Sequence, residues 1–346
     1  MVELLSIAGE DIERAARAIR GGRLVAFPTE TVYGLGAQAT NPTALARIFE
    51  AKRRPTFDPL IVHIAAAEDL ATVADLSLLP AERRSLVQRL VEALWPGPLT
   101  LILPKQLEIP DLATSGLPTV AVRLPAHPVA RELIRRSGVP VAAPSANPFG
   151  YLSPTRADHV LKQLGDRIDF IIDGGRCEVG VESTVLDMSG RDITILRPGG
   201  LSRERIEAVI GPVHRIERST SNPTAPGQLP SHYAPRAALS LFPPGEIPPY
   251  IPAGEAAACL FFNDESRDRW IASFTRAFPG QPIPPSRVLS PSGSLLEAAA
   301  NLFDTLHELD SLGVSLILAE RAPDRDLGSA INDRLYKARG EAKESH

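Results

Sequence analysis

Apolar residues first recur at helical spacing over residues 11–20, where Ile12, Ala15, Ala16 and Ile19 form one stripe closed by Gly21-Gly22. LVAF (24–27) then reads as a buried strand, and Asn41-Pro42 offer an N-cap and first turn to a helix burying Leu45, Ile48 and Phe49. PLIVHI (59–64), LTLIL (99–103), TVAVRL (119–124), VPVAA (139–143), DFIID (169–173), STVLDM (183–188) and DITILR (192–197) follow as strands. Helices fall between them: two segments through 94, then 128–137 and 155–164. Several strands are near-continuous apolar runs, which predicts a sheet covered on both faces. Beyond residue 236 the alternation repeats on a smaller scale, with ALSLF, AACLFF, a helix at 293–309, VSLILAE (314–320) and a helix at 328–338. The pattern is that of an α/β protein ending in a smaller Rossmann-like unit.

A chain of 346 residues is long enough for two domains. Prolines place the division: of 33, 15 lie between 212 and 291, densest from Gly211 to Pro235. We expect a first domain over 1–211, a linker or lid over 212–236 ending in HYAP, and a second domain over 237–346. Net charge is -4, and residues 1–211 hold 24 bases against 25 acids, so bulk charge argues against a basic nucleic-acid module. Cys177 and Cys259 form no CxxC pair and predict free thiols in a reducing cytosol. The N-terminus mixes acids and bases from residue 3, unlike a signal peptide, and no apolar run reaches membrane-spanning length.

Chemistry concentrates between the elements. In PTETVYGLGAQA (28–39), Gly34, Gly36 and Ala39 match a dinucleotide fingerprint, but the strand and helix stand at the wrong distances, so the segment reads as a loop with hydroxyls from Thr29, Thr31 and Tyr33. Pro55 ends a helix whose last turn carries Lys52 and Arg54; they complement the helix dipole or project two cations toward one anion. His63 alternates with Ile and Val in a strand, a packed position or a ligand. Arg123 lies at a strand end, where open α/β sheets bind ligands. Ser145 and Asn147, held between prolines, offer hydrogen bonds to a phosphate or a base edge; Ser183 opens a strand and Arg197 closes one. A P-loop, HExxH, GxSxG and any metal-ligand histidine spacing are all missing from the sequence, and no nucleophile is advertised. Cations, hydroxyls and glycine backbone suit phosphoryl or nucleotidyl transfer, in which positioning and charge do most of the work.

PTETVYGLG, KRRP followed by PLIVHI, VAVRLP, APSAN, VESTV and LRPG, in this order, resemble the YrdC-type threonylcarbamoyl-AMP synthases. A Pro-rich linker ending in HYAP (232–235) resembles that of the long, two-domain form. The resemblance implies a twisted mixed sheet with helices, then the linker and a Rossmann-like domain. It implies nucleotidyl transfer in which L-threonine, bicarbonate (or CO2) and ATP, with Mg²⁺, give threonylcarbamoyl-adenylate and pyrophosphate. The product passes to a tRNA threonylcarbamoyl transferase for t6A at position 37. The threonine pocket it implies comprises Thr31, His63, Arg123, Ala143 and Ser183. Its ATP site comprises Lys52, Arg54, Asp58, Thr119, Ser145, Asn147, Ser153, Arg197 and Tyr233, with Lys52 and Arg54 as the catalytic cations and no protein metal site. Two positions depart from the family: Asp58 stands where Asn is frequent, and Asn222 replaces a serine in the linker motif. A carboxylate at position 58 is unfavourable near a triphosphate unless it faces Mg²⁺ or solvent. An RNA-binding module without turnover, with weak RNA affinity, and a carbamoyl-adenylate-forming enzyme remain as alternatives.

Overall fold

The computed structural model describes residues 2–216, 223–229, 232–246, 248 and 256–339; Asn222 lies outside them. The chain divides into two units, Met1–Phe149 with Ser153–Leu229, and Gly150–Leu152 with Pro230–His346. The expected linker is therefore shared: 223–229 go with the first unit and 232–236 with the second.

The first unit runs β1 (Glu3–Leu5), α1 (Gly9–Arg20), β2 (Val25–Phe27), β3 (Gly34–Gln38), α2 (Pro42–Lys52), β4 (Ile61–His63), α3 (Ala81–Leu94) and β5 (Leu99–Pro104). It continues with α4 (Asp111–Thr114), β6 (Thr119–Arg123), α5 (Pro128–Ser137), β7 (Val141–Ala142), α6 (Ala157–Leu164), β8 (Phe170–Ile172), β9 (Thr184–Asp187), β10 (Thr194–Arg197), α7 (Arg203–Ile210) and β11 (His214–Arg215). These strands make one mixed sheet in the order β1-β8-β2-β3-β7-β4-β6-β5-β9-β10-β11. The Asn41 side chain caps α2 through the amides of Thr43 and Ala44, as its sequence position predicts.

One expectation fails instructively. Gly34–Gln38 is not a loop but β3, antiparallel to both β2 and β7. A Cβ at Gly36 would sit 2.7 Å from the Phe27 ring, so glycine lets this strand lie beneath a large aromatic side chain. Read without that neighbour, its glycines signal a turn.

Alternation along the strands sorts the two faces of the sheet. Val62, Leu99, Leu101, Leu103, Val120 and Val122 enter the main core with Leu45, Ile48, Val87 and Leu90 of α2 and α3. On the opposite face, Val25, Phe27, Val141 and Ala143 pack against Ile12, Ile19, Leu133 and Ile134 of α1 and α5. Farther along that face only a small apolar floor remains: Ile61, Ile102, Ala121, Val185 and Leu196, with Ala225 against it. The expected cover on both faces thus holds for part of the sheet, and the polar chemistry occupies the rest.

The second unit contains β12 (Ala238–Phe242), β13 (Ala257–Phe261), α8 (Asp264–Ala277), β14 (Ser286–Val288), α9 (Leu295–Ser311), β15 (Leu316–Glu320) and α10 (Gly328–Arg339). Its parallel sheet has the order β12-β15-β13-β14 around Phe242, Cys259, Phe261, Trp270 and Leu318. Glu320, buried at the end of β15, accepts the Gly245 and Phe262 amides and the Ser266 hydroxyl, and so ties together the loops at the carboxyl ends of the strands.

Candidate active site

Strand register builds the centre of the site. His63 of β4 pairs with Arg123 of β6, which pairs with Thr100 of β5, so three polar side chains form one rung on the face that the apolar floor shares. Arg123 is buried, and each of its three guanidinium nitrogens is engaged. Nη1 donates to Thr31 Oγ1 at 2.8 Å, Nη2 pairs with Glu30 Oε1 at 2.6 Å, and Nε donates to the Gly97 carbonyl at 3.3 Å. Burial and the adjacent Arg123 charge push His63 down to about 3, so its ring is neutral at physiological pH. The backbone of Ile61 and Val141 lies against the ring and works in the opposite direction, without overcoming the burial.

Thr100 leads toward the neighbouring strands. Its hydroxyl lies 2.7 Å from Ser183 Oγ, which also accepts from Arg197 Nη2 at 3.2 Å. A β-bulge between Ile195 and Arg197 brings Arg197 opposite Val185, on the face of the floor. The guanidinium donates further to the Ser183 carbonyl at 2.8 Å and the Pro226 carbonyl at 3.2 Å. Gly199 permits this junction: a Cβ there would stand 2.3 Å from the Glu182 carbonyl oxygen.

The second group of cations gathers where α2 ends. Arg53 adopts a left-handed conformation (φ 52°) as the C-cap and turns the chain, and both Lys52 before it and Arg54 after it are buried. Lys52 Nζ donates to the Ser145 and Asn147 carbonyls at 2.6 and 2.5 Å. The APSAN loop carrying those carbonyls is pinned by β3 and the residue before it: the Leu35 amide donates to Pro144 O, and the Tyr33 carbonyl accepts from the Ala146 amide. Burial and the charge of Arg54 hold the Lys52 ammonium well below the ordinary lysine range.

Asp58 does not face solvent: it is fully buried, 2.8 Å from Arg54 Nη2. Arg54 also donates to the Asp58 and Pro59 carbonyls at 3.1 and 2.9 Å. Burial holds the Asp58 carboxyl above its usual range against the pull of Arg54, Lys52 and Arg197. Ser153 donates to Glu182 at 2.5 Å.

The structure therefore brings Thr31, His63, Arg123 and Ser183 into one hydrogen-bonded or rung-sharing group, and Lys52, Arg54, Asp58, Ser145 and Asn147 into another. Ala143 closes β7 with its amide donating to the Ile61 carbonyl. Thr119 lies four residues before Arg123 on the same face of β6, roughly 13 Å away at about 3.3 Å per residue. Tyr233 belongs to the second unit, at φ 65°, packed on Phe303 and under Arg334. Tyr33 and Thr29 serve structure: Tyr33 OH donates to the Gly175 carbonyl, and Thr29 Oγ1 donates to the Val32 carbonyl to make a local turn. Three residues of the site are missing from the sequence reading: Glu30 and Glu182, although they stand inside PTETVYGLG and VESTV, and Thr100. Thr100 carried a signal, as the only polar residue inside LTLIL.

Fold and site define an α/β protein that buries a neutral histidine and four cations, Arg123 and Arg197 on the sheet and Lys52 and Arg54 at the end of α2, an arrangement for recognising small anionic molecules. Residues 17–199 match the Sua5/YciO/YrdC family model, described as telomere recombination, and residues 201–340 match the model described as threonylcarbamoyl-AMP synthase, C-terminal domain. The chain belongs to the threonylcarbamoyl-AMP synthase family. It is 42% identical to the threonylcarbamoyl-AMP synthase of Bacillus subtilis, over 97% of this chain and 95% of that protein. It is 44% identical to the Pyrococcus abyssi protein of the same name, over 95% and 94%. The crystal structure of P. abyssi Sua5 complexed with L-threonine superposes with a TM-score of 0.82 at 40% identity, covering 98% of this chain and 97% of that one.

Proposed function

We propose that this protein joins L-threonine, bicarbonate or CO2 and MgATP into threonylcarbamoyl-adenylate and pyrophosphate, the activated intermediate for t6A in tRNA. The observation that carries this reading is the continuous path from Arg123 through Thr100 and Ser183 to Arg197, which sets an amino-acid anchor beside a phosphate anchor. Arg123 clamps the α-carboxylate, and Thr31 and His63 orient the rest of the amino acid; a neutral imidazole receives a hydroxyl proton or donates its own without adding charge. Lys52, Arg54 and Arg197 balance the polyphosphate and the charge that develops at the α-phosphorus. The threonine ammonium first gives up a proton; the free amine adds to CO2, supplied directly or from bicarbonate with loss of water, and releases a second proton as the carbamate forms. The carbamate oxygen then attacks the α-phosphate, whose bond to the β-phosphate breaks to expel pyrophosphate. No protein nucleophile is required.

MgATP enters as a substrate complex. Among the described residues no cluster of three or more His, Cys, Asp or Glu could hold a metal ion. Asp58 pairs with Arg54 through Oδ2 and Ser153 donates to Glu182, so phosphate oxygens and water would supply most of the ion's ligands. Burial of Lys52, Arg54, Arg123 and Arg197 favours a small anion over an RNA backbone, which is met by exposed cations. No helix among the described residues is long and apolar enough to cross a membrane. Action in the cytosol, with product passing to a tRNA threonylcarbamoyl transferase, completes the reading, and buried thiols at Cys177 and Cys259 suit such a compartment.

The test is pyrophosphate release from MgATP with and without L-threonine and bicarbonate, with mass detection of the adenylate. Release that requires both co-substrates, accompanied by the threonylcarbamoyl-adenylate mass, is expected. Release supported by carbamoyl phosphate in place of threonine and bicarbonate would move the assignment to carbamoyl-adenylate formation.

A further inference from the structure

The proposed reaction uses Arg123 but leaves unexplained the carboxylate it holds. Glu30 is buried at 6% exposure and lies 2.6 Å from Arg123 Nη2, while the next residue, Thr31, occupies Nη1 of the same guanidinium. Beyond that ion pair, the backbone of Ala126 is the main neighbour of the Glu30 carboxylate, and neither carboxylate oxygen makes a side-chain hydrogen bond of normal geometry among the described residues. A buried anion with acceptor capacity beyond its one ion pair thus stands beside a buried cation, with a neutral ring at hand.

An α-amino acid carries the complementary pair, a carboxylate and an ammonium one carbon apart. A pocket that offered only Arg123 would bury the ammonium without a counter-charge, at heavy cost. We propose that Glu30 is the ammonium-binding residue of the amino-acid pocket, so that Arg123 and Glu30 together recognise a zwitterion. Each charge neutralises the other while the pocket is empty, and a bound amino acid exchanges one internal ion pair for two with the ligand. Burial works against the Glu30 charge, but Arg123 together with the Ala126 and Glu30 backbone keeps the carboxyl below its usual range, so the anion is in place before the ligand arrives. The pair thereby selects against carboxylic acids that lack an amine. This inference rests on the threonine-binding reading above.

Calorimetric titration of the full chain tests it with two ligands, L-threonine and 2,3-dihydroxybutanoate, which has a hydroxyl in place of the amine. Glu30→Gln is expected to weaken threonine by at least about tenfold while changing the deaminated acid by no more than about twofold. Glu30→Asp, which retains the charge on a shorter arm, is expected to lose less threonine affinity than Glu30→Gln, and it stands in if the Gln variant does not fold. Equal losses for both ligands would make Glu30 a structural partner of Arg123 and overturn the proposal, as would unchanged threonine affinity. Wild-type protein that binds neither ligand would instead refute the threonine-binding reading itself.

Discussion

The Arg123–Glu30 pair gives a sharp energetic test, because the two charges are buried together and their removal singly or jointly has opposite consequences. Arg123→Met leaves Glu30 without its cation in a water-poor site, and breaking such a pair costs about 3–5 kcal/mol. Thr31 keeps its 2.8 Å contact with Thr29, so the loss falls on the carboxylate rather than on the hydroxyl. Against a total stability of about 5–15 kcal/mol this is severe. At about 2–4 °C per kcal/mol for a unit of this size, the melting temperature should fall by roughly 6–20 °C. Adding Glu30→Gln removes the stranded charge, and the double variant should recover most of that loss, a coupling of about 2–4 kcal/mol. Differential scanning calorimetry of wild type, both single variants and the double variant reads the stability. Threonine-dependent pyrophosphate release reads function, which should stay lost in the double variant. A single-variant loss below about 1 kcal/mol, or a double variant no more stable than Arg123→Met, would refute the idea that the pair is desolvated and mutually dependent.

Other predictions concern the phosphate end, a strand junction and pH. Asp58→Asn removes a negative charge beside Lys52, Arg54 and Arg197 while keeping an acceptor for Arg54, so MgATP-analogue affinity in calorimetry should tighten, by up to about tenfold; weaker binding would show that the carboxylate orients Arg54 for the nucleotide. Gly199→Ala drives a methyl into the Glu182 carbonyl oxygen at 2.3 Å and should cost at least about 1–3 kcal/mol in urea unfolding, with pyrophosphate release falling as Ser183 and Arg197 shift; wild-type stability would mean that the strand ends separate freely. The folded-state value of His63, about 3, lies below the 6.5 of the free side chain, so unfolding takes up a proton between those limits. Its contribution is complete above pH 6.5 and is lost on acidification at up to about 1.4 kcal/mol per pH unit, so the wild-type minus His63→Asn stability difference should shrink from pH 7 to pH 5. A constant difference across that range would refute a buried neutral ring.

Periodicity alone located most helices and strands of both units, because a helix stripe or a strand alternation depends on nearest neighbours in sequence. Asn41 before Pro42 is such a local signal, and the structure shows it capping α2. Strand β3 was invisible for the converse reason: its glycines make sense only under the Phe27 ring, which reaches them through strand pairing. The same division runs through the site. Ordered motifs marked Lys52, Arg54, Arg123, Ser183 and Arg197 as candidates, since residue types declare what chemistry is available. Tertiary structure decided which groups meet. Register set His63, Arg123 and Thr100 in one rung, a bulge turned Arg197 onto their face, and burial converted Asp58 from an awkward carboxylate near phosphate into the partner of Arg54. Distances between side chains on different strands, and the loss of water that makes a charge need a partner, arise only when those strands pair.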